Sequence, residues 1–98
     1  MYKKYRKADR MAEPLTPASA EELKAEQEIF GEYWKLLKKY YNLDIMGNLK
    51  EWGELIDEAH SIAKKAAGTP REELAERLML ATVFYIEKAA RDRKDKRS

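Results

Sequence analysis

The main apolar stretch of this sequence extends from Leu78 to Ile86, and charged residues flank it on both sides. The flanking Glu, Arg and Lys residues have strong helix propensity, so the pattern predicts the middle of a buried helix. A lone buried strand is the alternative that so short a run leaves open. The stretch is too short to cross a bilayer, which requires about 20 apolar residues. We therefore expect the other elements to pack around this helix, and we predict no membrane insertion.

Upstream of this run, apolar residues recur at helical spacing over residues 23–41. At about 100° per residue they share an arc of about 160°, with Lys and Glu side chains opposite. The arc consists of Leu23, Ile29, Phe30, Tyr33, Trp34, Leu36, Leu37, Tyr40 and Tyr41. This first helix begins either at Thr16, which Pro17 follows, or at Ser19, whose spacing to Glu22 fits a capping box. We expect its aromatic residues to be core residues rather than a stacking platform for bases.

Residues 42–48 interrupt the helical pattern with Asn, Asp and Gly, which favour turns. The loop also carries three apolar side chains that we expect to pack under the end of the bundle, namely Leu43, Ile45 and Met46. A second amphipathic helix is predicted from Asn48 to Ala67, with an apolar stripe of about 140°. This stripe consists of Leu49, Trp52, Leu55, Ile56, Ala59, Ile62, Ala63, Ala66 and Ala67.

The clearest local signal in the chain is the sequence Gly68, Thr69, Pro70. Gly suits the left-handed position after a helix, Thr can cap the next helix, and Pro fits its first position. Glu72 completes a capping box with Thr69. The third helix is therefore predicted from Pro70 to about Asp92. It should lie antiparallel to the second helix because the connection is short.

The third helix carries more apolar side chains than two neighbouring helices can cover. The centre of its apolar arc is predicted at Leu74, Leu78, Ala81, Tyr85 and Ala89. Leu80 and Phe84 fall outside that arc, one turn apart among charged residues. Either the N-terminal segment folds back so that Met11 and Leu15 cover them, or they form an interface, most simply a two-fold homodimer. We favour the homodimer because the N-terminal segment is polar.

Composition supports an all-α fold. Of the 98 residues, 39% are charged, and only four are Gly and three Pro, which suits helices with solvated outer faces. We predict a compact three-helix bundle, with a short additional N-terminal helix as the alternative. The predicted division is a basic N-terminal arm over residues 1–15, a helical domain over residues 16–92 and a basic C-terminal tail over residues 93–98.

The positive charge is concentrated at the two ends of the chain. Residues 1–10 carry a net charge of +4 and residues 91–98 a net charge of +3, which leaves −5 for residues 11–90. Basic ends can contact nucleic acid, bind an acidic partner or simply favour solubility. The candidate nucleic-acid contacts are Lys3, Lys4, Arg6, Lys7, Arg10, Arg91, Arg93, Lys94 and Arg97. The acidic middle of the chain argues against a broad DNA-binding face.

The sequence offers little for catalysis or metal binding. It contains no Cys and a single His, so one chain can build no catalytic triad, thiolate zinc site or paired-His motif. His60 lies at the edge of the second helix's apolar stripe, where a packing or hydrogen-bonding role is expected. We predict no enzyme activity, cofactor, metal or small-molecule substrate. The basic start lacks a following apolar region, so no secretory signal is expected and a cytoplasmic location fits.

The order of several aromatic and apolar groups resembles that of a known class of proteins. These groups are Tyr33-Trp34, Tyr40-Tyr41-Asn42, Glu51-Trp52, Leu55-Ile56 and the run from Leu78 to Glu87. Together they resemble small helical proteins carried by prophages and integrated elements of Gram-positive gut bacteria. The resemblance covers about residues 28–90 and implies an accessory or regulatory protein that acts by binding another molecule. From the residues, the function that we predict is protein–protein interaction. Nucleic-acid binding through the basic ends is the alternative function.

Overall fold

The computed structural model describes residues 15–47 and 49–97, and the side chain of residue 97 is not among the parts described. Within these ranges the chain forms three α-helices and no strand: α1 (Lys24–Tyr40), α2 (Leu49–Lys65) and α3 (Glu72–Arg97). Each helix packs against the other two. The predicted all-α, three-helix architecture is therefore confirmed. The candidate N-terminal arm and the alternative helix within it lie outside the described residues, except for Leu15, which is exposed.

The core is small and draws on all three helices and on the loop between α1 and α2. Leu55 of α2 and Ile86 of α3 are its largest fully buried side chains. The other buried members of this cluster are Tyr33, Leu36, Tyr40, Leu43 and Ala59. Seven partly buried residues pack against them, namely Ile29, Leu37, Trp52, Ile62, Leu78, Met79 and Val83. The main apolar run of the sequence therefore supplies one buried anchor, Ile86, with partly buried residues around it.

The capping box predicted at Ser19 is formed. The Ser19 backbone N–H donates to Glu22 Oε1 (2.8 Å), and the Glu22 N–H donates to Ser19 Oγ (3.1 Å). Residues 20–23 form a turn, and regular helix begins at Lys24. Both predicted starts are therefore too early: the Ser19 box forms around the turn that precedes the helix, and Leu23 occupies the N-cap position. Thr16 and Pro17 precede the helix as an exposed, non-helical segment.

The loop between α1 and α2 is held in part by hydrogen bonds to Asp44. Its side chain accepts from the Met46 N–H (3.0 Å), and its carbonyl accepts from Trp52 Nε1 (3.0 Å). Leu43 is buried as predicted and Ile45 is half-buried, but Met46 is 71% exposed. The prediction that Met46 packs under the bundle is wrong, because the Asp44 turn directs it away from the core. The predicted start of α2 at Asn48 lies outside the described residues.

The connection between α2 and α3 follows the sequence signal closely. Gly68 has φ +80, the left-handed conformation that ends a helix. Thr69 Oγ1 accepts from the Arg71 N–H (3.1 Å), and Glu72 Oε1 accepts from the Gly68 N–H (3.0 Å). The predicted capping box is thus replaced by a related arrangement in which Glu72 reaches one residue further back. Helix α3 begins at Glu72 rather than at Pro70.

Helix α3 differs from its prediction in length and in rotation. It continues to Arg97, beyond the predicted end near Asp92. Charge pairs one turn apart stabilise the helix just before this extension, over residues 87–92. The side that faces both other helices is centred on Ala75, Ile86 and Ala90, which are buried, whereas Ala81 and Tyr85 are exposed. The predicted centre of the apolar arc is therefore wrong, because α3 packs with the side that carries Met79, Val83 and Ile86 towards the core.

Candidate protein-binding surfaces

The groove between α1 and α2 is lined by charged side chains. Lys39 of α1 pairs with Glu58 of α2 (Nζ to Oε2, 2.9 Å), and Lys65 of α2 pairs with Glu32 of α1 (Nζ to Oε1, 3.0 Å). Tyr40 also donates its hydroxyl hydrogen to Glu58. The hydrogen bonds from Tyr40 and then Lys39 lower the pKa of Glu58. All the charges named here have partners, so this groove serves the contact between α1 and α2.

A different surface extends along one side of α1, where exposed apolar residues recur four or seven positions apart. Five large apolar side chains there are between 39% and 57% exposed. They are Leu23, Phe30, Trp34 and Tyr41 from α1 and its N-terminal turn, and Tyr85 from α3. We call this set the aromatic face. The Tyr41 and Tyr85 rings lie 6.3 Å apart, with 31° between their planes, and so join the two helices across it.

Cations lie at the rim of the aromatic face. Lys38 Nζ is 5.6 Å from the centre of the Trp34 ring, and Arg93 Cζ is 5.1 Å from the centre of the Tyr41 ring. Both distances fall within the range of a cation–π contact. The face thus combines aromatic area with positive charge. Such a surface can bury apolar side chains of another protein while pairing with carboxylates beside them.

The prediction that the α1 aromatics are core residues is correct for Tyr33 and Tyr40 and wrong for Trp34 and Tyr41. An arc of about 160° is wider than the strip that two neighbouring helices cover. Its middle, with Tyr33 and Tyr40, is therefore buried, and one edge stays exposed. The width of the arc was the signal that could have identified Trp34 as a surface residue.

A second apolar surface lies on the outer side of α3. Leu80 is 48% exposed and Phe84 is 61% exposed, so both project away from the core as the sequence predicted. Charge pairs flank them along the same helix. Arg77 contacts Glu73 (Nη2 to Oε2, 2.7 Å), and Arg91 contacts Glu87 (Nη2 to Oε2, 2.6 Å). The described part of the chain places no apolar cover over this pair, and Leu15 is 95% exposed.

The C-terminal candidates for nucleic-acid contact do not form one basic patch of unpaired charges. Arg91 is paired with Glu87. Arg93 donates through Nη2 to the carbonyl oxygens of Tyr41 and Leu43, at 2.9 Å each. These are carbonyls just beyond the end of α1, so Arg93 joins α3 to that end. Sequence reasoning missed this role, because the partners are 50 and 52 residues apart.

For the other candidate residues the structure gives little information on contacts. Lys94 is exposed, whereas Arg97 is described only by its backbone at the end of α3. The five N-terminal candidates lie outside the described residues, namely Lys3, Lys4, Arg6, Lys7 and Arg10. His60 is exposed at the surface of α2 rather than packed. The predicted packing role of His60 is therefore wrong, and its alternative role as a hydrogen-bonding residue stays a prediction.

Residues 15–47 and 49–97 contain no helix that is long and apolar enough to span a membrane. The same residues contain no group of three or more His, Asp or Glu side chains able to hold a metal. Two apolar surfaces, the aromatic face and the outer side of α3, are thus the main unexplained features of the described chain. In comparisons with known proteins, no protein-family model, no curated protein and no solved structure matches this chain.

Proposed function

We propose that this chain is a non-enzymatic protein-interaction module and that the aromatic face binds its partner. The observation that carries the proposal is the exposure of Phe30 (52%) and Trp34 (57%) on one side of α1, together with that of Tyr85 (53%), whose ring lies against Tyr41. Large exposed apolar patches on small proteins mark interaction sites. Trp, Tyr and Arg are also the residues that most often dominate binding energy at interfaces. An accessory or regulatory role in a mobile element, in the cytoplasm, agrees with the resemblance described above.

The partner that fits this face is an amphipathic segment with acidic flanks. A helix laid along α1 would bury its apolar side against Phe30 and Trp34. Lys38 and Arg93 at the rim favour carboxylates beside that apolar side. In contrast, the charged side chains in the groove between α1 and α2 already form ion pairs with each other, so they are less available to a partner.

Site-specific photo-crosslinking in cells that encode this chain tests the proposal. A benzoyl-phenylalanine at position 30 should yield a crosslink to a distinct protein, and Trp34→Glu in the same chain should abolish that crosslink. The matched control carries the photoreactive residue at Lys35, which is exposed on a different side of α1. A crosslink obtained equally from position 35, or an intrachain crosslink to residues 1–14, would contradict the proposal.

Nucleic-acid binding through the basic ends is the alternative, and only their net charge supports it. If it holds, affinity for a short DNA duplex should fall steeply between about 50 mM and 200 mM salt. It should also weaken when Lys3, Lys4 and Arg6 are replaced by Glu. The protein-interaction proposal predicts no salt-dependent binding of this kind. At the C-terminal end, Arg91 and Arg93 already have partners within the chain.

A further inference from the structure

The outer side of α3 carries six residues whose spacing alternates between four and three positions. In order they are Glu73, Arg77, Leu80, Phe84, Glu87 and Arg91. Positions with this heptad spacing follow one face of a helix and are those that pair in coiled coils. We call this set the outer strip. Its exposed apolar centre and its charged ends make it suited to a second helix of matching pattern.

The outer strip is complementary to itself when its direction is reversed. Read forward it is acidic, basic, apolar, apolar, acidic, basic, and read backward each charge meets the opposite charge. Two antiparallel copies related by a two-fold axis at the level of residue 82 would place Glu73 opposite Arg91 of the second copy. The same register places Arg77 opposite Glu87 and Leu80 opposite Phe84.

We propose that two copies of this chain associate through their outer strips with the α3 helices antiparallel. A parallel pairing in register would oppose Glu to Glu and Arg to Arg, which is repulsive. In a two-fold antiparallel pairing, each charged residue of the strip instead faces an opposite charge on the second copy, in addition to the one in its own chain. The charge pattern therefore selects both the occupant of this surface, a second copy, and its direction.

Ion pairs already present within one chain hold the charged side chains of the outer strip in position for this association. The Arg77 guanidinium lies on Glu73 (2.7 Å), and that of Arg91 lies on Glu87 (2.6 Å). At each end of the dimer, two Glu and two Arg would form an alternating cluster. Leu80 and Phe84, now 48% and 61% exposed, would be covered at the centre. Because the apolar centre consists of two side chains per copy, the dimer should be weak and depend on protein concentration.

The proposal is independent of the proposed function, because the aromatic face and the outer strip use different residues. Loss of partner crosslinking at position 30 would therefore leave the dimer untouched. Likewise, a monomeric chain could still bind a partner through its aromatic face.

Sedimentation equilibrium from about 10 µM to about 500 µM protein gives the first test. The parent should shift from monomer to dimer, and Leu80→Glu/Phe84→Glu should stay monomeric with the helical circular dichroism of the parent. A parent that stays monomeric throughout overturns the proposal. So does a Leu80→Glu/Phe84→Glu variant that unfolds, because these side chains would then be covered within their own chain.

Charge reversal tests the register. Arg77→Glu should weaken the dimer at least tenfold, since it opposes Glu87 of the second copy, and Arg77→Glu/Glu87→Arg should restore it. The matched control is Arg77→Glu/Glu28→Arg, which has the same net charge but changes a remote residue of α1 and should not restore the dimer. Restoration by the control, or none by Arg77→Glu/Glu87→Arg, overturns the antiparallel register.

Cysteine crosslinking tests whether the two α3 helices are antiparallel. The natural chain has no Cys that would interfere. A mixture of Glu73→Cys and Arg91→Cys chains should form a mixed disulfide on mild oxidation. Glu73→Cys chains alone should not, since antiparallel copies separate these positions by about 27 Å. Rapid crosslinking of Glu73→Cys alone would show parallel pairing and overturn the proposal.

Discussion

The hydroxyl of Tyr33 lies 2.9 Å from the carbonyl oxygen of Ala59 and donates a hydrogen bond to it inside the core. Ala59 is fully buried and Tyr33 nearly so. The absence of a large side chain at Ala59 lets the Tyr33 ring reach across to the backbone of α2. This contact fixes how α1 and α2 are rotated relative to each other, and so which edge of α1 remains exposed.

Tyr33→Phe should lower the free energy of unfolding by about 1 kcal/mol, because it removes a buried hydrogen bond and keeps the ring. Urea unfolding followed by circular dichroism measures this loss. Tyr85→Phe is the matched control, since Tyr85 is exposed, and it should change stability by less than about 0.5 kcal/mol. Equal losses for the two variants would mean that the Tyr33 hydroxyl does not stabilise the core.

The same residue predicts a decline of stability at alkaline pH. Burial, followed by the neighbouring charge of Glu32, raises the pKa of Tyr33 from 10.0 to about 12. The unfolded chain therefore ionises first, so stability is complete below pH 10 and is lost as pH rises towards 12. Between about pH 9 and about pH 11 the parent should lose on the order of 1 kcal/mol more than Tyr33→Phe. Burial also raises the pKa of Tyr40, but both proteins retain Tyr40. Parallel pH profiles would contradict the prediction.

Local signals predicted the local features of this fold. Three predicted features depend on interactions within a few residues, and the structure confirms each. They are the Ser19 capping box, the left-handed conformation of Gly68 and the helical conformation of three segments. The exposure of Leu80 and Phe84 also follows from the projection of one helix. These are properties of single elements, which a sequence encodes directly.

Features that depend on how helices meet could not be predicted in the same way. Projection of α3 alone places the centre of its wide apolar arc at Leu74, Leu78, Ala81, Tyr85 and Ala89. In the structure Ala75, Ile86 and Ala90 are the buried residues, because the positions of α1 and α2 decide which part of the arc is covered. The partners of Arg93 are likewise set by the position of α1 against α3, for which no nearby residue gives a signal.

Two glycines should respond to alanine in opposite directions. No atom of the described structure lies within 4 Å of a Cβ added at Gly68 or at Gly53, so backbone conformation alone decides the effect. Gly68 has φ +80, and Gly68→Ala should cost about 1 kcal/mol. Gly53 lies within α2, where Gly53→Ala should add about 0.5 to 1 kcal/mol. Urea midpoints of the two variants test this, and shifts of the same sign would contradict it.

Arg93 should contribute to stability rather than to a basic binding patch. Its Nη2 donates to two carbonyl oxygens beyond the end of α1, and its guanidinium lies over the Tyr41 ring. Its Nη1 is enclosed without a hydrogen-bond partner among the described residues, which offsets part of the gain. Arg93→Ala should therefore lower the free energy of unfolding by about 1 to 2 kcal/mol. Arg93→Lys should recover only part of it, because an ammonium cannot reproduce the planar fork of donors.

Arg91→Ala is the matched control for this effect. Arg91 lies two residues from Arg93 on the same helix and forms an exposed ion pair with Glu87. At protein concentrations low enough to keep the chain monomeric, Arg91→Ala should change stability by less than about 0.5 kcal/mol. The nucleic-acid alternative predicts a different result, in which both variants keep the stability of the parent and both lose affinity for a DNA duplex. Urea unfolding and duplex titration of the same two variants therefore separate a structural Arg93 from a nucleic-acid contact.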